Sequence, residues 1–278
     1  MKISNNTIVK KKNIIEKNFL DKKRFKREVY FYKKFKDKYL NIPRIINIKD
    51  NKIYFKKYKF RKINSQRKFL AELLKFLILT NKNLDYKIYA KERLKSYKDL
   101  YNQVQLRLAN IQKINVSKIY VKKFNEIKLF LKNTIDECPK NEKLKLSKKI
   151  VSQSDIGFHN CALYDKKIIF FDFEYAGLDN PIKLICDVYY QPEKRIEKKI
   201  MINFIKNFQK KFKFRLPDNF FIFEKLYRAK MMLIILNILL KSSKKFRVKS
   251  SSKNNFKKLQ LERLNKVYRY IKIPYLYE

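Results

Sequence analysis

The sequence predicts an α+β fold in two lobes, the first small and sheet-bearing, the second larger and mostly helical. Three observations carry that expectation. Apolar spacing over the first sixty residues switches between strand and helix periods, and from residue 65 it is mainly helical. A strand-rich window then interrupts the helices at residues 149–173. Residues 154–177 hold the chain's whole supply of glycine and histidine, Gly157, Gly177 and His159. Glycine permits positive φ and close approach of neighbouring groups, so a special backbone is expected there.

Taken in order, residues 2–11 read as a small hairpin, with KIS and TIVKK flanking the turn pair Asn5-Asn6. Asp21 is placed to cap a helix over 22–39, whose apolar residues Phe25, Val29, Phe31, Tyr32 and Phe35 fall mostly at helical spacing. Pro43 precedes strands at 45–48 and 52–58, joined at Asp50-Asn51. Helices are expected over 65–82, 86–112 and 117–137. In the first of these, Phe69, Leu73, Phe76, Leu77 and Thr80 share one face. Strands at 149–153, 161–164 and 168–173 follow, the last two meeting at Asp165-Lys166. After Pro181 the pattern returns to helix at 183–190, 193–212, 219–241 and 253–271, with a Lys/Ser-rich break at 242–252. The expected domains are 1–60 and 61–278, the second carrying the catalytic loop at 152–187.

Composition narrows the classes. A hydrophobic fraction of 45% supports a real core and excludes a disordered chain, despite 34% charged residues. Heavy use of Lys, Ile, Asn, Phe and Tyr is what an AT-rich genome produces, yet 70 bases against 25 acids leave a net charge of +45. That field attracts polyanions and anionic membrane surfaces. The basic clusters, at 10–12, 22–27, 56–62, 143–149, 195–199 and 241–258, are dispersed and read mostly as solvated surface, with the last also a candidate for docking on anionic lipid. No nucleic-acid motif accompanies the charge, so a nucleic-acid partner is not expected. Three widely spaced cysteines with no C-x-x-C pair argue against a disulfide framework or zinc site and fit a reducing cytoplasm. The N-terminus lacks the apolar run of a signal peptide, and the most apolar stretch, 231–240, is too short to span a bilayer.

The chemistry concentrates at Asp155, Asn160 and Asp172, with Glu174 close behind. Moving a phosphoryl group from a nucleotide to a hydroxyl requires a carboxylate to accept the hydroxyl proton and oxygen ligands for one or two Mg2+ ions. A hairpin between residues 160 and 172 would bring the last two together. SDIGFHN and FFDFEYAGLDNP…CD resemble the aminoglycoside phosphotransferase/choline kinase family, whose members read H-G-D-x-x-x-x-N, then I-D-F-E or I-D-W, then a downstream Asp. D-F-E-Y looks especially like choline and ethanolamine kinases. The strong match covers about residues 152–187.

The resemblance implies a protein-kinase-like fold with a reduced N-terminal lobe. It implies ATP- and Mg2+-dependent transfer of the γ-phosphate to a hydroxyl of a small acceptor, such as a sugar, an envelope precursor or an amino alcohol. Asp155 would be the catalytic base, Asn160 and Asp172 the Mg2+ ligands, and Asp187 the brace of the catalytic loop. Glu174 stands where choline-kinase-like members have a Glu. Lys10 would contact the α- and β-phosphates, with Lys11 or Lys12 as alternatives, and Glu28 would hold that lysine. Residues 56–60 would lie beside the adenine. Gly157 is expected to shape the loop, His159 to be structural, and the terminal tyrosines to pack.

Two departures stand out. Gln153-Ser154 replaces the family's His-Gly, and no glycine is present to make a phosphate-covering loop before Lys10. The second departure motivates an alternative, a degenerate kinase-fold binding or scaffold module without turnover. The expected location is cytoplasmic, with peripheral contact to an anionic membrane compatible with the charge.

Overall fold

The computed structural model describes residues 6–35, 41–82, 85–112, 116–142, 148–240 and 253–277. The break at 242–252 and the strand expected at residues 2–4 lie outside them. In chain order the elements begin β1 (Asn6–Lys10), β2 (Ile14–Phe19), α1 (Lys22–Phe35), β3 (Ile45–Lys49), β4 (Lys52–Lys56), α2 (Gln66–Asn81), α3 (Tyr97–Gln112) and α4 (Val121–Asp136). They continue β5 (Ile150–Ser152), β6 (Cys161–Tyr164), β7 (Lys167–Phe170), β8 (Gly177–Asp179), α5 (Pro181–Tyr189), α6 (Lys198–Phe212), α7 (Phe220–Leu236) and α8 (Lys253–Ile271). Two compact units result, Met1–Arg93 with Ser147–Arg215, and Leu94–Leu146 with Leu216–Glu278. The expected division at residue 60 is not the boundary between them, because the N-terminal sheet and residues 152–187 belong to the same unit.

In the first unit an antiparallel sheet runs β1-β2-β4-β3. Its first hairpin differs from the expectation. Asn6 opens a strand rather than a turn, and the reversal falls at Lys11-Lys12-Asn13, after which residues 14–19 pair with β1 and β4. Charged Glu16 and Lys17 are buried on β2. They break the apolar alternation by which such a strand is read from sequence. The second hairpin is as expected: Asp50 and Asn51 take φ of 50° and 58°, the left-handed pair of a tight two-residue turn. Asp21 caps α1 through its Oδ1, which accepts from the Lys23 N–H at 2.8 Å.

Ser65 caps α2, and the five residues expected on one face of that helix are buried. β6 and β7 form the hairpin turned by Asp165 and Lys166. β5 pairs instead with β8, a three-residue strand too short to read from pattern. Residues 88–90 lie alongside β8, with Leu178 N–H donating to Ile88 O at 2.8 Å and Ala90 N–H to Leu178 O at 3.0 Å. This is why the helix expected from residue 86 begins only at Tyr97. Gly177 makes the approach possible, since a Cβ there would meet the Ala90 nitrogen at 2.3 Å.

In the second unit α3 packs on α7, and α7 on α8. Leu100, Val104 and Leu108 of α3 and Phe124, Ile127 and Leu131 of α4 are buried core. α7 buries residues almost all the way round, as an internal helix does. Arg228 on α7 donates to Ile273 O at 2.8 Å and lies 3.7 Å from the centre of the Tyr275 ring. Tyr270 is buried. Among the described residues no helix is long and apolar enough to cross a membrane.

Candidate active site

The site grows from β2. Lys17 faces inward at the middle of the sheet, opposite Ile53, and its ammonium lies 2.6 Å from Glu28 Oε2 on α1 and 2.7 Å from Asp172 Oδ1. Glu174 Oε2 is 3.8 Å away. Burial opposes the charge of Lys17, but Glu28, Asp172 and Glu174 more than offset it and hold the ammonium above its ordinary range. Burial pushes Glu28 up to about 7 against the pull of Lys17. Glu174 is shared with Arg24, 3.1 Å from its Oε1, and accepts from the Asn6 amide.

Lys10 therefore does not pair with Glu28. It sits opposite Ile15 on the exposed strand β1, one turn of chain before the lysine that does. Placing the hairpin reversal at Asn5-Asn6 rather than at residues 11–13 displaced the expected partner by one strand. Both lysines line a cavity of about 450 Å3, whose apolar walls include Ile8, Ile15, Phe55 and Phe60. Lys56 and Tyr58, from the segment expected beside the adenine, line it too, as do His159 and Asp172.

Asp172 is held in an unusual backbone, φ 70°, costly for a residue with a Cβ and maintained only by its surroundings. Gln153, in the place of the family's His, donates its amide to the carbonyls of Phe171 and Asp172, the latter at 3.4 Å. On the other side Phe173 is fully buried, its ring flat against Phe31 of α1 at 4.0 Å and 9°. The Asp172 side chain keeps 27% exposure at the cavity.

The loop that carries Asp155 and Asn160 enters beside it. Phe171 N–H donates to Asn160 O at 3.0 Å, continuing the β6–β7 ladder and setting Asn160 next to the segment that bears Asp172. Asn160 is buried and its Nδ2 donates to Asp155 O at 2.8 Å and to Asp155 Oδ2 at 3.0 Å. The other Asp155 oxygen lies 3.0 Å from His159 Nε2, and the carboxylate remains 48% exposed. Sequence reasoning gave His159 no role toward Asp155. The i, i+4 spacing of Asp155 and His159 was the available signal. Gly157 has an extended backbone, φ 177°, so it is not there for positive φ. A Cβ on it would meet His159 Nδ1 at 2.6 Å, so the glycine makes room for the ring.

Left-handed backbone falls instead on Ser154, φ 61°, where the family has glycine. Its N–H is taken by Ser152 Oγ at 3.0 Å, and its own hydroxyl donates to Asp179 Oδ2 at 3.0 Å. Lys183, fully buried on α5, reaches Ser154 Oγ at 3.0 Å, Asp179 at 2.9 Å and Asp187 at 2.7 Å. Asp187 is thus linked to Ser154, next to Asp155, through Lys183. Sequence reasoning missed both Lys183 and Asp179, because a lysine among 70 basic residues carries no signal of burial.

Glu28, Asp172 and Glu174 bring carboxylate oxygens within 4.8 Å of one another, spacing that suits a metal, but the Lys17 ammonium lies among them. Of that cluster Asp172 is the partly exposed member, and its carboxylate together with the Asn160 amide oxygen would suit a hard cation.

No protein-family model matches the sequence, and no curated protein matches it. Solved structures do. A choline/ethanolamine kinase family protein from Mesorhizobium loti is similar over 98% of this chain and 86% of its own, at 10% identity and TM-score 0.57. The choline kinase LicA from Streptococcus pneumoniae is similar over 97% and 91%, at 12% identity and TM-score 0.57. An aminoglycoside phosphotransferase, APH(2'')-Ib, solved with ADP bound, is similar over 97% and 95%, at 12% identity and TM-score 0.50. The fold is protein-kinase-like, α+β, in the form these phosphotransferases share.

Proposed function

We propose that the protein is an ATP- and Mg2+-dependent phosphotransferase acting on a hydroxyl of a small acceptor. The observation that carries this reading is Lys17, held by Glu28 and Asp172 on the wall of a cavity of about 450 Å3. Such a lysine gives a nucleotide's phosphates a fixed positive partner. The ADP-bound neighbour of the same fold supports a nucleotide as the donor. Ile8, Ile15, Phe55 and Phe60 supply apolar walls for a base. Asp172 and Asn160 would hold Mg2+, which when bound neutralises charge on the transferring group. Asp155, exposed and flanked by two hydrogen-bond partners, accepts the proton of the acceptor hydroxyl. The acceptor oxygen forms its bond to the γ-phosphorus as the bond to the β,γ-bridging oxygen breaks, and the diphosphate departs. The reading carries a cytoplasmic location with it.

The test is Mg-ATP turnover against pooled sugars, amino alcohols and envelope precursors. Asp155→Asn should keep nucleotide affinity within about twofold and lose about 10²–10⁴-fold in turnover. Undiminished phosphorylation by that variant removes Asp155 as base. One observation favours a binding module without turnover: the β1–β2 reversal is Lys11-Lys12-Asn13, with no glycine to close over phosphates. Calorimetry separates the two readings, since a module of that kind takes up no Mg-ATP at millimolar concentration.

A further inference from the structure

The exposed face around Tyr89 and Tyr175 gathers cations that the fold leaves largely unneutralised. Lys91 N–H donates to Tyr175 O at 3.2 Å, so this face continues directly from the segment that follows Asp172. Arg24 of α1 lies 4.9 Å and Lys91 5.3 Å from the centre of the Tyr175 ring. Arg93 lies 3.8 Å from that of Tyr89. Lys149, in the chain entering β5, donates to the Tyr89 hydroxyl at 3.0 Å. Arg27 donates to the carbonyls of Tyr89 and Ala176.

Of the acids at this face, Asp21 and Glu174 engage Arg24 and Lys91, while Glu92, between Lys91 and Arg93 in the chain, acts on Tyr175 electrostatically and forms no ion pair among the described residues. Among the described residues no carboxylate lies within ion-pair distance of Arg27, Arg93 or Lys149. Aromatic rings and carbonyl oxygens hold these heads in place without cancelling their charge, which leaves the charge available to a ligand. Burial pushes the Tyr175 phenol up to about 12 against the pull of Arg24, and Glu174 and Asp155 add to the rise.

We propose that this face binds a phosphate carried by the acceptor, so that the hydroxyl compound phosphorylated here already bears a phosphate group. The inference rests on the phosphotransferase reading for the word acceptor, and on the face alone for the anion. Two arginine forks and a lysine match the oxygens of a phosphate dianion. The same charges oppose cationic acceptors, because like charges brought together cost energy at any dielectric. The phosphate could belong to a soluble ester or to a lipid headgroup.

The test uses the full chain without nucleotide, in about 0.15 M salt, where long-range attraction is screened. Glycerol 3-phosphate, a small compound with both groups, is titrated by calorimetry into wild type, into Arg93→Ala/Lys149→Ala, and into Lys206→Ala/Lys210→Ala, which removes the same charge from exposed positions on α6. Binding should weaken at least about tenfold in the first variant and less than about twofold in the second. Phosphatidylglycerol vesicles, compared with phosphatidylcholine vesicles, repeat the measurement for a lipid-borne phosphate. Patch-dependent binding of either probe supports the site and names its source. Equal weakening in both variants, or no binding of either probe, overturns it. Because nucleotide is absent, patch-dependent binding with no turnover in the Asp155 experiment overturns the transfer and not the site.

Discussion

Two buried lysines anchor the first unit, and they are built from the same parts to different ends. Lys17 meets Glu28, Asp172 and Glu174, and Lys183 meets Asp179, Asp187 and the Ser154 hydroxyl. The difference is access. Asp172 keeps 27% exposure at the cavity, whereas Asp179 keeps 1% and Asp187 10%. A charge held beside an opening remains available to a ligand; a sealed charge can only hold its neighbours. The first cluster is thus open to a ligand, and the second holds the Ser154 loop against α5.

The sharpest way to break this contrast is to remove each ammonium in turn. Lys183→Met removes the one ammonium that Asp179 and Asp187 share and leaves two buried carboxylates without that counter-charge, and the expected loss is about 3–5 kcal/mol of unfolding free energy in urea titration. A loss below about 1 kcal/mol would mean that the sealed cluster is not a brace. Lys17→Met should cost less stability, because burial already places Glu28 near 7, where it takes up a proton readily, and Asp172 faces the cavity. Its effect should appear in Mg-ATP turnover, down about 10²–10³-fold. Equal stability losses in the two variants would erase the distinction.

A smaller effect probes the hydroxyl of the sealed cluster. Ser154→Ala loses the bonds to Asp179 and Lys183 and keeps the left-handed strain, while Ser154→Gly loses the same bonds and relieves it. The glycine variant should be more stable than the alanine variant by about 1 kcal/mol. The reverse order would mean the strain is not borne at residue 154.

The smallest effect concerns the outer face of β2, where Glu16 bonds Lys11 and Lys52 and is held at about 2. A depressed carboxylate stabilises the fold above its unfolded value, about 4.3, and that contribution is lost as pH falls toward 2. Glu16→Gln should flatten melting temperature against pH across that window, and an unchanged profile would remove Glu16 from the account.

Legibility followed the same divide between signals that repeat and signals that pair. Capped helices such as α1 and α2 and the turns at Asp50-Asn51 and Asp165-Lys166 were readable, because each has a local residue signature. The hairpin that sets Asn160 beside Phe171 was readable from the two apolar runs and the turn between them. Lys17 was not, since β2 buries charge where a strand ordinarily buries carbon, and its pairing with Glu28 depends on a register that no local pattern sets. β8 was invisible at three residues, and with it the extended run at 88–90. The two glycines bear out one of the two uses expected of them: both admit a close neighbour, while Ser154 and Asp172 carry the positive φ.

The flat contact between Phe31 and Phe173 has a mechanical consequence. Glu28 lies one turn before Phe31 on α1, and Asp172 immediately precedes Phe173. The two rings act as a rivet between the helix and the loop, so the two nearest carboxylates of Lys17 are fastened to each other as well as to the lysine.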